Sequence, residues 1–245
     1  MRASWLNPAG GLRYHARALF GRRPWAPFRA ALGAWLAEFE PRVPRGVLVG
    51  PSAGYTFPDA FLQRFTKLTV LEPDPIAGYL LLRRLRGLGI TDLRLESRDL
   101  LILPLLDNSA GLAELLEADP DASLIFGNVL GQTRFLREET EFERFKSAFS
   151  ARITPLLGSR SWLSFHDRLS GALAPSFNAP FRSPQRLDDA AVLRQLYSQD
   201  QAGAPQELFD HESEGFFPAS LPHVYFSWQI GSARHHLIEG VAQSR

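Results

Sequence analysis

Apolar and polar positions along this chain follow two rhythms. Short apolar or alternating stretches at 46–49, 68–72, 92–96, 122–127 and 161–166 predict strands. Between them, apolar residues recur at helical spacing and predict helices over 57–66, 76–86, 109–118 and 134–156. Pro58 suits the first turn of the first of these helices, and Gly87 and Gly89 suit the end of the second. Strands alternating with helices through short connections predict an α/β domain with a doubly wound, mostly parallel sheet.

Both flanks of this stretch read differently. A helix over Leu12–Phe20, ended near Pro24, precedes an amphipathic helix carrying Phe28, Ala31, Leu32, Trp35, Leu36 and Phe39. Pro41 and Pro44 stop the second helix. Such a cap would pack beside the sheet and cover a site at the strand tips. After the fifth strand, Pro, Ser and Asn at 171–186 predict a surface loop, followed by a helix at 188–198 and an irregular stretch to Pro222. Two last apolar runs, His223–Ile230 and Arg234–Val241, joined by Gly231-Ser232-Ala233, predict a hairpin and so an antiparallel strand. The expected architecture is a seven-stranded sheet with a C-terminal antiparallel hairpin and an N-terminal helical cap. The cap spans 1–45, and the domain spans 46–245 with an insertion at 171–222.

Composition narrows the chemistry. With 45% hydrophobic residues in 245, the chain can bury a large core without covalent staples. The absence of cysteine excludes disulfides, thiolate metal sites, iron–sulfur clusters and cysteine nucleophiles. No apolar run is long enough to span a membrane or to read as a signal peptide, so the expectation is a cytoplasmic protein without a membrane partner. Net charge is +1, yet residues 1–45 hold eight arginines against Glu38 and Glu40. Only Lys67 and Lys146 among the 27 basic residues are lysine, which marks a chain-wide arginine preference rather than a dedicated patch, and nucleic acid is not indicated.

The candidate chemistry lies at the ends of the strands. Val47-Leu48-Val49-Gly50-Pro51-Ser52-Ala53-Gly54 is an apolar strand running into a glycine turn. Leu68-Thr69-Val70-Leu71-Glu72 is the next strand, and Glu72 follows Gly50 by 22 residues. A tight turn that lets backbone approach a ligand, with an acid at the neighbouring strand tip to accept from ribose hydroxyls, is how open α/β sheets hold adenosine-containing cofactors.

Five alternating strand–helix units closed by a hairpin, with these motifs at these places, resemble the class I S-adenosylmethionine-dependent methyltransferases over residues 43–245. The resemblance implies S-adenosylmethionine as cofactor, with Gly50, Ser52 and Gly54 shaping the pocket for its methionine portion. It places Glu72 on the ribose and Asp99, after the third strand, on the adenine amino group. Gly127-Asn128-Val129-Leu130-Gly131-Gln132-Thr133 then forms the turn where methyl meets acceptor. Asn128 and Gln132 become candidate orienting groups there, and His166, beside Asp167 at the end of the fifth strand, the candidate base. No metal is implied. The turn lacks the Asn-Pro-Pro-Tyr element of nucleobase aminomethyltransferases, which favours a small or polar acceptor.

The sequence departs from the family at three positions of the motif. Leu48 stands where an acid is usual, Ser52 replaces the middle glycine, and Pro51 stiffens the turn. These departures leave open a non-catalytic cofactor-binding or interaction protein on the same fold. Gly50-x-Ser52-x-Gly54 also spells a serine nucleophile elbow, which would make Ser52 the nucleophile of a hydrolase. A nicotinamide reductase of the short-chain type fails on its Tyr–Lys pair, since Gln63 and Phe142 stand four residues before Lys67 and Lys146.

Overall fold

The computed structural model describes residues 11–136, 139–158, 160–197 and 208–244. The loop-like start at 1–10 and residues 198–207 of the insertion lie outside the described residues. In chain order the first elements are α1 (Gly11–Phe20), α2 (Arg22–Glu38), β1 (Arg45–Val49), α3 (Asp59–Leu62), β2 (Lys67–Leu71), α4 (Pro75–Gly87) and β3 (Asp92–Glu96). Then come α5 (Ile102–Asp107), α6 (Leu112–Ala118), β4 (Ser123–Gly127), a 3-10 turn (Leu130–Leu136), α7 (Glu139–Arg152), α8 (Thr154–Leu157) and β5 (Trp162–Gly171). The chain closes with β6 (Phe181–Ser183), α9 (Asp189–Leu196), β7 (Leu208–Asp210), β8 (His223–Gly231) and β9 (Arg234–Gln243).

All nine described strands join one sheet in the order β3-β2-β1-β4-β5-β9-β8-β6, with β7 pairing β5 off that path. The first five are mutually parallel, and β9 runs antiparallel between β5 and β8. The seven long strands are those expected from the apolar runs. Two three-residue strands, β6 and β7, are added from the insertion, where short segments leave no periodic signal in the sequence.

Period-two alternation distributes each strand between two layers. Leu48 of β1 and Ile125 of β4 face a layer built by α2, α3 and α4, with Trp25, Phe28, Phe61 and Leu81. Val47, Val49, Leu124 and Phe126 face the other, built by α5 to α8, with Leu116, Phe142, Phe145 and Phe149. Both faces of the central strands are therefore dry, as parallel strands require. The N-terminal helices belong to the first layer: Phe28 stacks on Trp228 of β8 with ring centroids 4.7 Å apart, and Trp25 meets the same indole edge-on at 4.9 Å.

Several helix expectations need correcting. Pro24 does not end α1, which stops at Phe20; Gly21 alone separates the two helices, and Pro24 sits in the first turn of α2, where a missing N–H costs nothing. The helix expected at 57–66 is the single turn α3, because Phe57, Phe61 and Phe65 meet the core at four-residue spacing from turns on either side of it. The helix expected at 109–118 begins at Leu112, and a separate α5 precedes it. The long helix expected at 134–156 is broken into the 3-10 turn, α7 and α8, with Pro155 at the start of α8.

Candidate functional site

The C-terminal tips of β1, β2, β4 and β5 form one edge, and the sequence-predicted residues collect there. Gly50 and Gly54 both take positive φ, +62° and +70°, and Ser52 lies at +51°. At Gly50 a side chain is also sterically impossible, since a Cβ would lie 2.5 Å from Cβ of Val129 in the turn after β4. The two turns therefore touch, and Gly50 is what permits it.

Glu72 emerges from β2 directly beneath the first turn. Its Oε2 accepts from the Ser52 backbone N–H at 2.7 Å and its Oε1 from the Asp74 N–H at 3.0 Å. Burial pushes its pKa up to about 7, and the adjacent Asp74 carboxylate adds to this, while the two N–H donors pull it back only in part. Each oxygen keeps a lone pair beyond those two bonds. Asp74 caps α4 by accepting from the N–H groups of Ile76 and Ala77.

Asp99 is further engaged. Its carboxylate accepts from the N–H groups of Leu101, Ile102 and Leu103, so it opens α5 as a cap. Leu48 is fully buried in the α2 layer, and that position lends the site no polar group. Over the edge lies α1. His15 reaches the Tyr55 hydroxyl with Nδ1 at 2.9 Å and approaches Asp74 Oδ2 with Nε2 at 3.5 Å. The Tyr14 phenol is pushed above its ordinary pKa by burial, then by the fields of Asp167, Tyr55 and Glu72, and its ring packs on Tyr55.

Asn128 does two things at once. It takes φ of +62°, which asparagine tolerates better than most residues, and its backbone N–H donates to the Phe165 carbonyl at 2.8 Å. Its side chain then continues the ladder: Oδ1 accepts from the Asp167 N–H at 2.8 Å, and Nδ2 donates to Asp167 Oδ2 at 3.2 Å. Gln132 Nε2 donates to the same oxygen. The 3-10 turn that carries Gln132 lies hard against β5, since a Cβ on Gly131 would come within 2.6 Å of the Asp167 carbonyl oxygen.

Asp167 itself is completely buried. Its Oδ1 accepts from His236 Nδ1 at 2.6 Å. Burial alone would raise its pKa. The charge and hydrogen bond of His236, the charge of His211 and the bond from Asn128 outweigh burial and hold it at about 2. His211 completes the group, with Nδ1 2.7 Å from the Gly131 carbonyl oxygen and Nε2 3.0 Å from Ser170 Oγ.

Asn128, Gln132 and Asp167 are thus brought together, and His166 is not with them. Consecutive strand residues face opposite sides. His166 points into the α5–α8 layer, where it stacks on Phe217, meets Ser164 Oγ at 2.9 Å and lies 3.7 Å from Glu239. The histidine at Asp167 is His236, which the sequence shows beside His235 on an apolar strand and which reads there as structural. His211 directly follows the three-residue β7, in a segment without any pattern. Among the described residues no histidine is hydrogen-bonded to Ser52, and its turn follows the first strand of the sheet, so the hydrolase arrangement is not assembled.

Five parallel strands in the order β3-β2-β1-β4-β5, with the antiparallel β9 set between β5 and β8, carry the fold assignment. It is a methyltransferase-like Rossmann fold. No protein-family model and no curated protein matches the chain. Solved structures do resemble it. The N-methyltransferase NodS from Bradyrhizobium japonicum WM9 aligns over 99% of this chain and 100% of its own at 12% identity and a TM-score of 0.40. A SAM-dependent methyltransferase from Aquifex aeolicus aligns over 90% and 92% at 12% identity and 0.35. The N-terminal domain of EvdMO1, solved with SAH bound, aligns over 95% and 81% at 10% identity and 0.38. Likeness at this level carries neither activity nor substrate to this chain. Among the described residues no helix is long and apolar enough to cross a membrane.

Proposed function

We propose that the protein is an S-adenosylmethionine-dependent methyltransferase acting on a small polar acceptor. The observation that carries this reading is the convergence, on one sheet edge, of the Gly50–Gly54 turn, the Glu72 tip and the Asn128–Gln132–Asp167 wall. Glu72 fits a ribose, because both its oxygens retain a lone pair toward the edge after accepting from Ser52 and Asp74. Asp99 keeps less capacity for an adenine amino group, with three backbone donors already on its carboxylate.

When bound there, the cofactor supplies a methyl group already activated on a sulfonium, so the chain's task is alignment and exclusion of water. Asn128 and Gln132 hold Asp167, and Asp167 with His236 forms the polar wall that an acceptor meets. The N-terminal cap acts as the lid over this space: Tyr14 packs on Tyr55, and His15 ties α1 to Asp74 and Tyr55.

Calorimetric titration with S-adenosylmethionine and S-adenosylhomocysteine is the direct test. Micromolar binding of either, weakened about 10–100-fold in Glu72→Ala, is the expected result for loss of charge-assisted hydrogen bonds. One contact favours a second reading: Glu72 already clamps the Ser52 N–H, so the acid can serve the turn alone. A folded protein that binds neither ligand would establish that alternative, a non-catalytic member of the fold.

A further inference from the structure

Two clusters of histidine and carboxylate lie inside this protein, and they differ in what balances their negative charge. Glu239 is completely buried and has a permanent cation, Arg186, whose Nε lies 3.3 Å from it. Asp167 is equally buried, yet among the described residues no arginine or lysine pairs with it. Its hydrogen-bond partners are two amides and the His236 imidazole, with His211 alongside. A buried carboxylate without a cation is a costly arrangement, and in proteins it is usually balanced by a partner charge or a metal.

The groups around it are arranged as ligands and their supports. Asp167, His211 and His236 each offer one donor atom, and the three atoms lie within 4.8 Å of one another. The rings of His211 and His236 are 6.2 Å apart between centroids and tilted by 43°. Asn128 and Gln132 both bond Oδ2 of Asp167, which leaves Oδ1 as the inward oxygen. The Gly131 carbonyl can only accept, so His211 donates to it from Nδ1, and its Nε2 lone pair, met by Ser170 Oγ at 3.0 Å, is the nitrogen left for a ligand bond. Outer partners that fix ring tautomer and carboxylate orientation in this way are characteristic of metal ligands.

We propose that Asp167, His211 and His236 bind a divalent transition-metal ion such as Zn2+, in the place now bridged by the hydrogen bond between His236 Nδ1 and Asp167 Oδ1. Two imidazoles and one carboxylate suit such an ion, and three protein ligands leave a position open. The open groove of about 410 Å³ lined by Ser170, Phe209 and Arg234 supplies an approach, since Ser170 also contacts His211. For catalysis the proposal rests on the methyltransferase reading. An acceptor hydroxyl bound at the open position would release its proton to solvent water, and the oxygen lone pair would form the new C–O bond as the sulfonium C–S bond breaks, its electron pair passing to sulfur.

Full-length protein stripped with EDTA and titrated with Zn2+ and Co2+ tests this. The expected result is one equivalent bound per chain with micromolar or tighter affinity, and an intense visible Co2+ spectrum of four- or five-coordinate type. His211→Gln and His236→Gln should each weaken binding at least tenfold, while His166→Gln, on the opposite face of β5, should not. Imidazole 15N NMR of the unmutated protein needs no variant: the His236 Nδ1 proton should vanish on Zn2+ addition. Persistence of that proton at saturating Zn2+, or affinity equal in the unmutated and His211→Gln proteins, overturns the metal site and leaves Asp167–His236 as a proton-transfer pair. S-adenosylhomocysteine titration of the same metal-free sample separates the two readings, because its binding there upholds the cofactor site whatever the metal result.

Discussion

His166 and Asp167 are neighbours in β5, yet they belong to clusters that solve the same electrostatic problem in opposite ways. On the His166 side, Glu239 is held well below the usual carboxylate range. Burial works against ionisation there, and His166, His223 and Arg186 together overcome it. His166 is itself lowered by burial and stays neutral. On the Asp167 side, among the described residues, the carboxylate is met by imidazoles and amides alone, and its outer wall adjoins a groove. A cluster that carries its own guanidinium reads as structural. One that lacks a cation and borders open space reads as a place for something to bind.

The largest expected effect comes from breaking the closed cluster. Glu239→Ala removes the carboxylate shared by the buried His166 and His223, leaves Arg186 only Glu214 at 3.7 Å, and should cost about 3–5 kcal/mol, the range for a buried pair that loses one partner. Thermal unfolding should show a fall on the order of 10 °C. An unchanged melting temperature would mean that this side is not the structural one. Asp167→Asn should cost less, about 1–3 kcal/mol, because an amide nitrogen would oppose the donors of Asn128 or Gln132 but no cation is stranded. If urea melts rank it above Glu239→Ala, the contrast between the clusters fails.

Gly131→Ala tests the wall without changing charge. The added methyl meets the Asp167 backbone at 2.6 Å and should cost about 1–3 kcal/mol by overpacking, moving Gln132 off the carboxylate. A crystal structure of the variant with the 3-10 turn in place would contradict this.

The third acid, Glu72, sharpens the comparison through pH. Its partners are backbone donors only, and its pKa rises to about 7 from an unfolded value near 4.5. The folded protein therefore binds the extra proton, and the contribution of Glu72 to stability falls as pH rises from about 4.5 to 7. A ribose hydroxyl favours the ionised form, so S-adenosylhomocysteine affinity should weaken about tenfold from pH 8 to pH 6. Glu72→Gln should flatten that profile; a flat profile in the unmutated protein would show that Glu72 does not meet the ligand. His15→Ala, which loosens α1 from Tyr55 and Asp74, should have the smallest effect, about 0.5–1 kcal/mol. It should be visible as faster ligand dissociation in stopped flow.

Much of the fold is legible in the residues because its signals are local. Apolar runs placed the five parallel strands and the hairpin within a residue or two at most of their ends, apart from the C-terminal extension of β5. Gly50, Ser52, Gly54 and Asn128 are readable because their backbone conformations, at positive φ, select or strain residue types. The helices were less legible: 57, 61 and 65 keep helical spacing whether a full helix or one turn between two bends carries them.

The partner of Asp167 was beyond local reading. Alternation along a strand makes His166 and Asp167 part, and likewise His235 and His236, so the expectation that His166 serves as base beside Asp167 was at odds with the strand it sits on. Which member of each faces the edge depends on the antiparallel pairing of β5 with β9, including the irregularity between Asp167 and Leu169. That pairing sets Ile238 opposite Asp167 and His236 opposite Ser170, and from there the His236 ring reaches Asp167, 69 residues away in the chain. β7 brings in His211 from a segment without periodicity. Strand positions and turn conformations follow from local sterics and hydrophobic period. The charge balance of the buried clusters follows from register, which only the assembled sheet decides.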